Sequence, residues 1–154
     1  MDLFSLADRL ATPFRFTPDE AQDQLPIGAH GAIGDGHSCA LVRADGAIDW
    51  LCLPRFDSPS VFAEILDSER GGVTAIRPSQ RPFESLQQYE PDTNVLWTEF
   101  RVAGQGLVRV TDLMPWQDDP RASIHEVHRR VDCLEGEVEL EVIFDPRFDY
   151  GADG

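Results

Sequence analysis

Two segments of alternating apolar and polar residues, Ser38–Arg43 and Ala47–Leu53, flank the dipeptide Asp45-Gly46, and no other feature restricts the fold as strongly. Asp-Gly between alternating runs predicts a β-hairpin closed by a two-residue type I′ turn. Such a turn fixes the register: Leu41 faces Trp50, Arg43 faces Ile48 and Cys39 faces Cys52 as closely spaced, non-hydrogen-bonded pairs. The same punctuation recurs. Asn94–Ala103 and Leu107–Met114 flank Gly104-Gln105-Gly106, and Ser123–Leu134 and Glu137–Phe144 flank Glu135-Gly136. In the last segment Val138, Leu140, Val142 and Phe144 are predicted to face inward. Glu137, Glu139 and Glu141 then face water, the pattern of an antiparallel strand with one solvated side. Val73–Arg77 reads as a short strand, 78–91 as a loop and 115–120 as an acidic loop around Trp116. Ser58-Pro59 can cap a helix carrying Val61, Phe62, Ile65 and Leu66, stopped by Gly71-Gly72. The expected fold is an all-β antiparallel sandwich with one or two short helices.

Upstream the period changes. Leu3, Leu6, Ala7 and Leu10 share one helical face, and Thr12-Pro13 ends it. Residues 12–25, rich in proline and acids, read as a linker, so 1–25 is an extension and 26–154 the sandwich. Charge narrows the partners. Thirteen basic residues, all arginine, stand against 28 acidic ones for a net charge of −15. Without lysine there is no Schiff base and no Walker-type phosphate loop. A strongly negative field disfavours nucleic acid and anionic membrane. The N-terminus lacks a basic n-region and an apolar h-region, and three scattered cysteines suit free thiols in a reducing compartment. A cytoplasmic location is the expectation.

Chemistry is sparse. Pro-Arg-Phe-Asp occurs twice, at Pro54–Asp57 and Pro146–Asp149, each after the apolar end of a strand. In extended backbone Arg and Asp at i and i+2 share a side with Phe opposite, so each copy is expected to present an ion pair beside an aromatic. The copies serve either as docking and hydroxyl-recognition loops or as strand ends pinned by Arg–Asp pairs. His30, His37, His125 and His128 lack zinc-ligand spacing, and His125 and His128 should lie on opposite faces of a strand. No metal or cofactor is expected. Ile33-Gly34-Asp35-Gly36 is a turn, since no helix signal follows it. Trp50, Trp97, Trp116, Tyr89 and Tyr150 fit core positions or sugar-stacking platforms.

Longer blocks carry a resemblance. Asp45-Gly46-Ala47-Ile48-Asp49-Trp50-Leu51-Cys52-Leu53-Pro54-Arg55-Phe56-Asp57-Ser58-Pro59 resembles the N-terminal domain of bacterial and archaeal family 15 glycoside hydrolases, the glucoamylase- and trehalase-like enzymes. The likeness extends from Pro26-Ile27 through Pro91-Asp92-Thr93-Asn94, Val110-Thr111-Asp112-Leu113-Met114-Pro115 and Arg129-Arg130-Val131 to Pro146–Gly151. The chain departs from the pattern at Ala29-His30, where relatives place an acid and an aromatic, and at Gln88, where they place a basic residue. The resemblance implies a sandwich of the super-β-sandwich type followed by an (α/α)6 barrel, whose two glutamates perform inverting hydrolysis of α-glucosides. Neither glutamate maps onto this chain, which should be inactive alone. Trp50, Arg55, Phe56, Asp57, Arg147 and Asp149 are the candidates for docking on the barrel or rimming its substrate mouth. The expected partners are that barrel and, through it, an α-glucoside. The competing reading is an autonomous carbohydrate-binding or scaffold module.

Overall fold

The computed structural model describes residues 15–17 and 26–152. The helix expected over Leu3–Leu10 lies outside them. The strands are β1 (Arg15–Thr17), β2 (His30–Gly34), β3 (Cys39–Arg43), β4 (Ala47–Cys52), β5 (Ser60–Phe62), β6 (Val73–Pro78), β7 (Phe83–Tyr89), β8 (Leu96–Val102), β9 (Gly106–Leu113), β10 (His128–Gly136) and β11 (Leu140–Asp145). They form a five-stranded sheet, β1-β7-β8-β9-β10, and a six-stranded sheet, β11-β6-β4-β3-β2 with β5 beside β4. The pairings are antiparallel. This is the expected all-β sandwich. Its helical residues, among those described, lie in three-residue 3-10 turns.

Two apolar clusters fill the space between the sheets. Ile33, Val42, Ile48, Leu51, Phe62, Leu96 and Met114 form one, and Phe83, Phe100, Val102, Val108 and Val110 the other. Phe83 and Phe100 meet edge to face at 5.5 Å, an arrangement worth roughly 0.5–1.5 kcal/mol beyond area burial. A buried ion pair ties the layers together. Arg129 on β10 donates to both Asp112 carboxylate oxygens at 2.7 and 3.2 Å and to the Gly46 carbonyl of the other sheet at 2.8 Å. Loss of either charged partner would leave the other buried and unpaired, at a cost of roughly 3–5 kcal/mol.

Several local readings are revised. The Asp45-Gly46 hairpin forms, but its loop is the three residues Ala44–Gly46: the Gly46 N–H donates to the Arg43 carbonyl at 3.0 Å, and Gly46 takes φ 88°. That is a turn closed by a left-handed glycine, not a two-residue I′ turn. A β-bulge at Asp49 restores the expected pairs Leu41–Trp50 and Ala40–Leu51, whereas Val42 faces Ile48. The ladder stops before Cys39 and Cys52, and Cys39, Cys52 and Cys133 are free thiols. Instead of a helix, Ser60–Phe62 is a strand, in keeping with the β preference of Val61 and Phe62. The 78–91 stretch contains β7, whose alternation is hidden by Gln87 and Gln88. Within the expected linker, Arg15–Thr17 pairs with β7.

The third expected hairpin does not exist. β10 pairs with β9 in one sheet, and β11 pairs with β6 in the other. Gly136 sits opposite Gly106 as the end of β10, so Glu135-Gly136 makes no hairpin. Alternation specifies which face a side chain takes, not which strand it neighbours. Of the inward set, Val138 and Leu140 pack on the core, but Val142 is 70% and Phe144 72% exposed. Glu141 is tied to Arg77 across the ladder.

Candidate functional site

Three loops meet at one end of the sandwich. The turn Gly34–Ser38 between β2 and β3 is built around Asp35, whose Oδ1 accepts the N–H groups of His37 and Ser38, both at 2.8 Å. Gly36, at φ 83°, lies directly under the Trp116 ring, so a Cβ there would collide with the indole. The 115–125 loop thus rests on this turn. It also delivers His125, whose Nδ1 lies 3.0 Å from Asp35 Oδ2, and Ser123, whose hydroxyl is 3.5 Å from the same oxygen. His125 reaches this place with a left-handed backbone, φ 47°. The His37 ring meets the His125 ring edge-on at 5.5 Å, and His37 Nδ1 is buried without a hydrogen-bond partner. Burial pushes the Asp35 carboxyl upward, but the Ser38 and His37 amides and His125 outweigh it and hold the acid below its ordinary range.

The third loop carries the first Pro-Arg-Phe-Asp copy. The Phe56 N–H donates to the His37 carbonyl at 3.0 Å, fastening the loop to the Asp35 turn. Ser58 closes it: its N–H reaches the Arg55 carbonyl and its hydroxyl accepts from the Arg55 N–H, each at 3.1 Å. Arg55 Nε pairs with Asp57 at 3.0 Å, the side chains 71% and 75% exposed, and Phe56 is 59% exposed. The expected i, i+2 pair is present and wholly at the surface. Trp116 is also exposed and anchors its indole N–H on Asp118 at 3.2 Å.

The second copy behaves differently. Arg147 pairs with Asp145 at 2.9 Å rather than with Asp149, because Asp149 and Tyr150 both turn left-handed, at φ 53° and 59°. That turn lets the Tyr150 N–H reach the Ser60 hydroxyl at 2.8 Å, while the Arg147 N–H reaches the Val61 carbonyl at 3.0 Å. The Tyr150 ring then packs 6.3 Å from that of Trp50, which is half-buried opposite Leu41. The copy is stitched to β5.

A second imidazole–carboxylate pair lies on the six-stranded sheet, where His30 Nε2 and Asp49 Oδ2 are 2.9 Å apart and almost fully buried. Burial raises the Asp49 carboxyl, with His30 and Arg43 opposing it, and Asp49 Oδ1 has no hydrogen-bond partner. Glu64, beside Arg43, is likewise raised by burial. His30 is therefore occupied in an internal contact.

Of the six sequence-proposed residues, Arg55, Phe56 and Asp57 stand together on the exposed loop. Trp50 and the second copy, with Arg147 and Asp149, are tied in beside β5. The convergence of Asp35, His37 and His125 is invisible in the sequence, since Asp35 and His125 are 90 residues apart. The available signal was the Gly-Asp-Gly turn followed at once by a histidine. Among the described residues no helix is long and apolar enough to cross a membrane.

In a β-sandwich the loops cluster at the ends, and loops carried on a rigid scaffold are where binding residues concentrate. The family profile described as trehalase-like, N-terminal, matches residues 19–153, and the chain belongs to that family. It is 42% identical over 128 residues to a trehalase of Thermoplasma volcanium, covering 82% of this chain and 20% of that protein. A Mycolicibacterium smegmatis trehalase is 34% identical over 152 residues, covering 90% and 23%. Trehalase 1 of Sulfolobus acidocaldarius is 40% identical over 121 residues, covering 79% and 19%. The chain thus spans about a fifth of the length of these curated relatives. No solved structure matches it significantly.

Proposed function

We propose that this domain is the accessory N-terminal sandwich of an inverting α-glucoside hydrolase of the glucoamylase- and trehalase-like class, docked on its catalytic barrel, with trehalose as the first substrate to try. The observation that carries this reading is the open edge of the sandwich. Val142 lies between Leu140, packed on the core, and Phe144, whose ring contacts buried Phe62 at 5.9 Å, so all three share the inward side of β11. At the edge of the other sheet, Val131 on β10 pairs with fully buried Val110 yet is 42% exposed. Inward apolar residues left open on both sheets mark an interface rather than a solvent face. The identity to trehalases supports the partner being the remainder of such an enzyme. The loop bearing Arg55, Phe56 and Asp57 supplies polar and aromatic groups that the sandwich does not need for its own stability, which supports a place at the rim of the substrate mouth.

The test compares two lengths of polypeptide. Residues 1–154 alone should release no glucose from trehalose, maltose or starch, because glycosidic hydrolysis needs two positioned carboxylates. In an enzyme of the relatives' length, Val142→Asp and Val142→Arg should lower both melting temperature and activity, while leaving residues 1–154 about as stable as before. If the substitutions are silent in the long enzyme, the edge is no interface and the docking reading falls. Arg55→Ala and Asp57→Ala should reduce kcat/KM in the long enzyme with its melting temperature unchanged. Unchanged kcat/KM would remove the loop from the substrate mouth.

A further inference from the structure

We propose that Asp35, His37 and His125 form a binding site for a divalent transition-metal ion of the zinc class, which staples the 34–38 turn to the 115–125 loop. Each residue offers a ligating atom within 4.8 Å of those of the other two. A tetrahedral zinc ion with bonds of about 2.0–2.1 Å to imidazole nitrogen and carboxylate oxygen holds its ligands roughly 3.3–3.5 Å apart. The Asp35 Oδ2 to His125 Nδ1 separation of 3.0 Å is already of that order. Only the His37 ring must swing inward from its edge-on contact with His125, and its Nδ1 gives up no hydrogen bond in doing so, being buried with no partner. A buried ring nitrogen in that state is costly, and a cation satisfies it.

The donor set selects the ion. Two imidazoles and one carboxylate suit zinc and its chemical neighbours cobalt and nickel, whereas magnesium and calcium require oxygen ligands. The Ser123 hydroxyl, 3.3 Å from His125 Nδ1, or a water fills the fourth position. The surroundings have the features of a built site. Both Asp35 Oδ1 hydrogen bonds come from backbone amides, which fix the carboxylate plane, the role outer partners play at metal sites. Trp116 covers the Gly36 side of the turn. Since the His37 carbonyl also holds the Phe56 N–H, a metal here would stiffen the loop carrying Arg55 and Asp57 without touching substrate.

Cobalt and zinc are the probes. The chelator-treated 154-residue chain, titrated with Co2+, should develop the visible absorption of a tetrahedral complex at one ion per chain, and zinc should displace it. Its melting temperature should rise with free zinc concentration, as binding to the folded state alone requires. His37→Gln and His125→Gln should each weaken binding at least about tenfold, while His128→Gln, which removes a surface histidine paired with Glu126, should not. For the unaltered chain, histidine NMR should show the His37 and His125 signals, out of four, shifting on zinc addition. Absence of tetrahedral cobalt bands, or wild-type affinity in the folded His37 and His125 variants, would overturn the site. So would zinc shifts confined to His128.

Discussion

Two buried aspartates each face a histidine at nearly the same distance, yet their acidities move in opposite directions. Asp35 meets His125 at 3.0 Å and Asp49 meets His30 at 2.9 Å. Asp35 is held below its ordinary range and Asp49 above it, and burial is the largest influence on both. The difference lies in the other carboxylate oxygen. Asp35 Oδ1 receives two backbone N–H groups, whereas Asp49 Oδ1 receives none. His30 and the more distant Arg43 do not repay the desolvation of Asp49, whereas at Asp35 two amides aimed at the second oxygen, with His125, do. The Asp35 turn is therefore an element the fold uses as a charged pivot, and the Asp49 bulge is one it keeps at a cost.

The comparison breaks most visibly on truncation. Asp35→Ala strips the acceptor from two backbone amides and should cost about 2–4 kcal/mol in urea denaturation. Asp49→Ala removes a poorly solvated carboxyl but leaves the buried His30 Nε2 without its partner, and should cost less, about 1–2 kcal/mol. Equal losses would mean that the amides do not set the difference.

Acid titration of stability sharpens it further. Asp49 binds its proton more tightly folded than unfolded, so its contribution is complete below about pH 3.9 and is lost as pH rises through the folded value. The melting temperature of Asp49→Asn relative to the parent should therefore climb as pH rises above about 4. Asp35 works the other way: its contribution is present above about pH 3.9 and disappears as pH falls through the folded value. Asp35→Asn should accordingly lose ground to the parent as pH rises, measured in chelator. Parallel curves for the two variants would refute the assignment of the shifts.

The smallest effect belongs to the repeated tetrapeptide. Arg55→Ala removes an ion pair in open solvent and should change stability by no more than about 0.5 kcal/mol. Any larger loss in thermal melts would show that the first copy pins its strand, as the second copy does through backbone contacts to β5.

Much of the fold was legible because strand periodicity and glycine-marked turns are local. The sandwich class, the hairpin around Asp45-Gly46 and the β8–β9 hairpin all follow from spacing within about twenty residues. Errors arose where one local pattern served two structures. Val61 and Phe62 fit a helix face or a short strand, and Glu135-Gly136 fits a hairpin turn or a strand end. The candidate site divides in the same way. Exposure of the Arg55–Asp57 loop was foreseeable from its place after a strand, but the rerouting of Arg147 to Asp145 was not, since it depends on a left-handed turn at Asp149.

By itself, then, the sequence determined the faces: which residues alternate toward a core, where the chain turns, and that its charge is acidic without lysine. Family membership was also written there, in the unbroken block from Asp45 to Pro59. Only the tertiary structure decided the neighbours. It sent β10 and β11 to different sheets and left Val142 and Phe144 uncovered. It also carried His125 across 90 residues to Asp35. The physical reason is that alternation and turn propensity act over a few bonds, whereas the choice of neighbour is made by packing and hydrogen-bond satisfaction among groups far apart in the chain.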